Sequence, residues 1–176
     1  MRRRHPLPTR WLMTDERLGE ALPAMVAKLP RGSGVVFRHY ATPEGERRRK
    51  FTQVRRIARA RGLVLLVAGP PLRGGDGVHG RKACKTKGLA TRPVHSMRER
   101  IAAERAGVDG IFVSPVFPTR SHPGARALGR VRFQRLIVGA RVPVIALGGM
   151  TAARARTLKG IAGWAAIDAW GSLPPA

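Results

Sequence analysis

The sequence is poor in several residue types and features, and each scarcity excludes something. A single cysteine, Cys84, in 176 residues rules out an internal disulfide, and no Cys or His spacing matches a zinc module. No apolar run reaches the roughly 18 residues that a membrane-crossing helix needs. Arg2, Arg3 and Arg4 lead into Pro6 and Pro8, not into an apolar signal region, so a soluble, cytoplasmic protein is expected. Aromatics make up only 5% and never interleave with Arg or Lys as a single-strand stacking platform would. Acidic residues number 10 against 34 basic ones, a net charge of +24. Arginine outnumbers lysine 28 to 6 in a chain also rich in Ala, Gly and Pro, a bias that G+C-rich coding produces without selection for binding. Any nucleic-acid binding is therefore expected to be weak and non-specific.

What is present fits one core. With 43% hydrophobic residues the chain reads as a single domain over 1–176, with 1–10 as a basic tail. Short β-rich runs recur at 11–14, 34–38, 63–68, 77–79, 93–95, 110–114, 143–147 and 163–168. Most are continuously apolar, as in strands covered on both faces, which predicts an α/β fold, a (β/α)8 TIM barrel. Between the third and fourth runs lies only Gly69-Pro-Pro-Leu-Arg-Gly-Gly75, so the helix there is expected to be lost or shortened. Helical spacing of Phe51, Val54, Ile57 and Ala58 predicts a helix over 46–61 with Arg47, Arg48, Arg55, Arg56 and Arg59 on a solvated face. Ser96 and Glu99 form a capping box ahead of Met97 and Ile101, with Gly107 as the stop. Thr151 opens a further helix that Gly160 ends.

Candidate functional residues gather at the strand ends. Gly148 and Gly149 follow the seventh run, where barrels commonly bind phosphate, although a glycine pair serves a plain turn equally well. Thr119, Ser121 and His122 lie in a long Pro/Gly-bearing loop after the sixth run, with Arg120 beside them. Arg38 ends the second run and offers a planar guanidinium to phosphate or to a carboxylate.

The stretch Val108-Asp-Gly-Ile-Phe-Val-Ser-Pro-Val-Phe-Pro-Thr-Arg-Ser-His-Pro-Gly124, followed by Leu128-Gly129 and Pro143-Val-Ile-Ala-Leu-Gly-Gly-Met150, resembles thiamine phosphate synthase and its thiazole-tautomerase relatives. The segments Trp11-Leu-Met-Thr-Asp15 and Gly77-Val-His79 resemble the family's first and fourth strands. The resemblance implies a TIM barrel that joins a pyrimidine methyl diphosphate to a thiazole phosphate and releases diphosphate with the help of magnesium. It implies that Arg38 holds diphosphate, that Thr119 and Ser121 hold the thiazole phosphate, and that Gly148 and Gly149 meet further phosphate oxygens. His122 stands where the family has a diphosphate-contacting Lys, a task that imidazole performs only when protonated.

Departures from the family cluster on the metal. Its Asn-Asp pair after strand three is Ala68-Gly69 here, and its second magnesium-binding Asp is Cys84, so no metal ligand is assigned. The strand-two Gln and Lys become Phe37 and His39 or Tyr40, the strand-five Ser becomes Pro93, and the last-strand Ser becomes Asp168. The thiazole-phosphate half is kept and the diphosphate half eroded. Alternatives to an active or weakened synthase are a metal-free thiazole tautomerase, a non-catalytic phosphate-binding barrel, and an Arg-rich nucleic-acid-binding module. For a tautomerase the candidate base is His122, with His79 and His95 as competitors. The expected partners are small phosphorylated substrates, with a homo-oligomer left open and neither a specific nucleic acid nor a membrane.

Overall fold

The computed structural model describes residues 7–83, 88–119, 124 and 126–170. Eight parallel strands close into a barrel in chain order: β1 (Arg10–Met13), β2 (Gly34–Phe37), β3 (Val64–Ala68), β4 (Gly77–His79), β5 (Leu89–Val94), β6 (Gly110–Val113), β7 (Val144–Leu147) and β8 (Gly163–Ala166). Strand β8 pairs back onto β1 through Trp11 and Ala165. Outside it lie α1 (Leu22–Lys28), α2 (Glu44–Arg61), α3 (Met97–Arg105), α4 (Gly129–Ile137) and α5 (Ala152–Arg156). None of these helices is long and apolar enough to cross a membrane.

Alternation along the strands decides which residues enter the barrel. Trp11, Met13, Val36, Leu66, Phe112, Ile145 and Ala165 fill the interior, while Leu12, Val35, Phe37, Leu65 and Val67 pack outward beneath α1 and α2. Strand β5 starts at Leu89, four residues before the run expected at 93–95. Thr91 and Arg92 disguise it in the sequence. Thr91 hydrogen-bonds His79 inside the barrel, and Arg92 reaches out to the carbonyl of Ala83.

The barrel floor explains its glycines. The four even-numbered strands all begin with one: Gly34, Gly77, Gly110 and Gly163. A Cβ on Gly34 would lie 2.1 Å from the Trp11 ring, one on Gly110 2.5 Å from Leu7, and one on Gly163 2.4 Å from the Thr9 carbonyl. The space is taken by the incoming chain. Trp164 donates its backbone N–H to Thr9, and Trp11 donates Nε1–H to Pro8. Leu7 to Arg10, expected in the tail, thus belong to the barrel.

The connection from β3 to β4 has no helix, as expected. Nor is there a helix among the described residues between β4 and β5, a second loss that the sequence reading did not anticipate. The outer wall of β4 is consequently bare. Val78 is 38% exposed, whereas Val113, also facing outward on β6, is fully buried.

Helix α2 buries Phe51, Val54 and Ala58 and ends on Gly62 in the left-handed region. One member of its expected solvated stripe corrects the reading: Arg47 is only 4% exposed. Its guanidinium is drawn inward by carbonyls at the strand ends, donating from Nε to His39 and from Nη2 to Ala68, 3.1 and 2.8 Å away. At α3, Ser96 accepts from the Glu99 backbone N–H, but the Glu99 carboxylate accepts from the N–H of His95 instead of that of Ser96. Thr151 caps α5, which already stops at Arg156, ahead of Gly160.

The barrel closes at a tryptophan seam. Trp164 and Trp170 stack with ring centroids 4.8 Å apart, and Trp170 donates Nε1–H to the carbonyl of Trp11.

Candidate functional site

Continuing each strand's inward alternation by one step past the core brings Arg38, His95, Ser114, Leu147 and Ile167 to the C-terminal mouth of the barrel. They surround a cavity of about 850 Å³ that Thr119, Gly148, Gly149, Thr151, Arg154 and Asp168 complete from the loops. Of the residues singled out in the sequence, Arg38, Thr119, Gly148 and Gly149 therefore meet at one cavity. Ser121, His122 and Cys84 lie outside the described residues. Ser114 and Arg154 were not anticipated. Arg154 carried a weak signal, since it sits in the first turn of the helix that Thr151 opens.

Arg38 is held by its neighbours and not by chance packing. Its Nε donates to the Thr14 carbonyl at 2.7 Å and its Nη2 to Asp15 at 3.1 Å, while its backbone N–H is taken by the Thr14 hydroxyl. Burial lowers its pKa from the ordinary value and the Asp15 charge opposes that fall, yet guanidinium stays charged. Burial pushes the Asp15 carboxyl up, but hydrogen bonds and charge from Arg17, with the charge of Arg38, outweigh it and hold the carboxyl below its usual range. Beside them His39 sits at φ +26, stacked on Phe37 and bonded to the Thr14 hydroxyl.

The Gly148-Gly149 pair has a packing reason of its own. Both residues are left-handed, at φ +91 and +60. A Cβ on Gly148 would lie 2.7 Å from Pro115, and one on Gly149 2.4 Å from the Pro118 carbonyl. The β6 and β7 loops are thus pressed together by two backbone hydrogen bonds, Val116 to Leu147 and Phe117 to Gly148. Arg154 seals the junction, donating Nη1–H to the Gly149 carbonyl and lying 4.9 Å over the Phe117 ring.

The imidazoles differ sharply. His79 is buried inside the barrel against Phe112, its Nδ1 2.9 Å from the Thr91 hydroxyl. Burial, with help from the Arg38 charge, pulls its pKa down to about 3, so it is neutral and a poor proton acceptor. His95 instead lines the cavity, and its Nδ1 lies 2.7 Å from the Ser114 carbonyl. A carbonyl only accepts, so Nδ1 carries a proton and, in the neutral ring, the lone pair is on Nε2. Asp168 lines the cavity too, with Arg17 4.0 Å away and both side chains about half exposed. So open a pair neutralises little, which leaves negative charge on that wall.

Magnesium, which the resemblance implies, does not fit what these residues offer. Among the described residues no group of three or more His, Cys, Asp or Glu side chains could hold a metal ion. The Ala68 carbonyl is already taken by Arg47, and a side chain at Gly69 would start 2.9 Å from the Tyr40 ring. The Arg47 guanidinium beside Ala68 would repel a divalent cation placed there.

A family model described as thiamine monophosphate synthase matches residues 77–170, more than half of the chain. The chain belongs to the thiamine monophosphate synthase family. Within that family it is 33% identical over 78 residues to the thiamine-phosphate synthase of Pyrococcus furiosus, a match spanning 43% of this chain and 38% of that protein. A match to the thiamine-phosphate synthase of Caldivirga maquilingensis is 25% identical and spans 92% and 86% of the two chains. In the solved structure of thiamine phosphate pyrophosphorylase from Pyrococcus furiosus the same fold covers 95% of this chain and 89% of that one, with a TM-score of 0.79 and 23% identity. The chain thus aligns with well under half the length of the first of these relatives, and the family model leaves out β1 to β3, which carry Arg38.

Proposed function

We propose that the chain is an enzyme of thiamine biosynthesis that joins a pyrimidine methyl diphosphate to a thiazole phosphate with release of diphosphate. The observation that carries this reading is the cavity of about 850 Å³ at the C-terminal mouth, supplied with cations from β2 and from behind β7, in a chain of this family. In the step itself the carbon–oxygen bond to diphosphate breaks, and its electron pair leaves with the diphosphate. The thiazole nitrogen supplies the pair for the new carbon–nitrogen bond, and no proton has to move. Arg38 would meet the departing diphosphate. Thr119, Ser121, Gly148 and Gly149 would hold the thiazole phosphate with Arg154 adding charge, and His122 would assist Arg38 when protonated. Leu147, Met150 and Ile167 give the cavity an apolar wall that keeps water from the cationic carbon. No step is routed through magnesium. The test is product detection from the purified chain supplied with both precursors, and absence of thiamine phosphate with and without divalent metal refutes the reading.

A second reading, a metal-free thiazole tautomerase, is favoured by one observation, the imidazole of His95 lining the cavity with its Nδ1 held by the Ser114 carbonyl. It requires a single base that removes and returns a proton on the same phosphorylated thiazole. Deuterium exchange into thiazole phosphate followed by NMR separates the two. Exchange by wild type that His95→Gln abolishes, without product from both precursors, selects the tautomerase.

A further inference from the structure

We infer that this barrel binds diphosphate without a divalent metal, because among the described residues no acidic cluster could hold one, Arg47 takes the strand-end carbonyls instead, and Arg38 meets the anion directly. The inference rests on the synthase reading of the cavity. Its own ground is what fills the ends of β2 and β3. Arg47 reaches there from α2, donates to the carbonyls of His39 and Ala68, and lies 5.6 Å over the Phe37 ring. The Tyr40 ring lies over Gly69, which at φ +79 is left-handed, a conformation that costs a carboxylate-bearing side chain some strain. A fixed positive charge thus stands at the strand ends beside Ala68 and Gly69, where the resemblance puts the metal's oxygen ligands.

The anion has somewhere else to go. The Nε and Nη2 groups of Arg38 are committed to Thr14 and Asp15, and among the described residues nothing takes its Nη1. That arrangement fixes the plane of the guanidinium at the cavity wall and leaves one edge for an oxyanion. Diphosphate complexed by magnesium carries less charge than bare diphosphate, so the guanidinium groups of Arg38 and Arg154 at the cavity favour the bare form.

Calorimetric titration of the full chain with inorganic diphosphate, once in excess EDTA and once in millimolar magnesium, tests this. The expected result is saturable binding in EDTA that magnesium leaves equal within about twofold or weakens. Arg38→Gln should weaken binding about tenfold in EDTA, while Arg38→Lys, which keeps the charge and guards against a misfolded variant, should retain most of it. Binding that appears only with magnesium, or that tightens tenfold or more with it, overturns the inference. Thiazole phosphate in parallel titrations keeps the two levels apart. If it binds while diphosphate demands metal, the inference fails and the synthase reading stands. If neither ligand binds in either buffer, both fail.

Discussion

On the β6–β8 side of the mouth, left-handed glycines let two loops press together and leave backbone, hydroxyls and Arg154 facing a cavity. On the β2–β4 side, Arg47 caps the carbonyls of His39 and Ala68 at the strand ends, Tyr40 lies over Gly69, and two helices that would back the wall are missing among the described residues, where a second cavity of about 570 Å³ opens along β3 and β4. One barrel thus carries a polar cavity at its mouth on one side and strand ends capped from a neighbouring helix on the other. The lesson is that where an acidic pair is absent, a side chain from a neighbouring helix can take up the strand-end carbonyls and fix them.

The largest effect that would break this contrast is expected at the open side. Gly149→Asp forces a Cβ to within 2.4 Å of the Pro118 carbonyl at φ +60. It should cost about 3 kcal/mol in urea denaturation and abolish phosphate binding, because the loops must separate. The helix contrast gives the next effect. Val113→Ala, beneath α3 and α4, should cost about 2 kcal/mol, and Val78→Ala on the bare wall of β4 less than about 0.5 kcal/mol. Equal losses at the two sites would mean that β4 is covered after all.

A third prediction uses pH. His79 is held neutral, with its pKa lowered to about 3 by burial and by Arg38, and burial lowers that of His39 as well. Between the unfolded value near 6.5 and the folded one, the unfolded chain binds more protons, so stability rises with pH and is lost as pH falls through that window. For His79 the slope inside that window is roughly 1.4 kcal/mol per pH unit, and His39 adds in the same direction. His79→Gln should flatten the urea midpoint against pH by one proton's worth between about pH 4 and 6. The smallest effect is expected from Arg154→Ala, about fivefold weaker thiazole-phosphate binding with stability unchanged within about 0.5 kcal/mol. A loss of stability instead would make Arg154 a packing residue of the β6–β7 junction.

The barrel and most of its strands were legible because apolar runs flanked by glycine and proline carry their own signal. Strand β5 was not, since a threonine serving a buried histidine and an arginine reaching for a distant carbonyl both read as polar loop. The cavity was partly legible. Arg38, Thr119 and the glycine pair were found from their positions after strands. The destination of Arg47 was hidden because a basic stripe on a helix says nothing about which guanidinium the strand-end carbonyls will capture. The proton position on His95 was hidden likewise, being set by the Ser114 carbonyl just past β6.

The seam between β8 and β1 has an optical consequence. All three tryptophans of the chain, Trp11, Trp164 and Trp170, stand at this one junction, two of them stacked. Intrinsic fluorescence and near-ultraviolet circular dichroism therefore read out closure of the barrel between its first and last strands. The β3–β5 wall carries no such chromophore, so it can loosen without a change in tryptophan signal. A stability curve recorded by tryptophan emission alone would describe the seam.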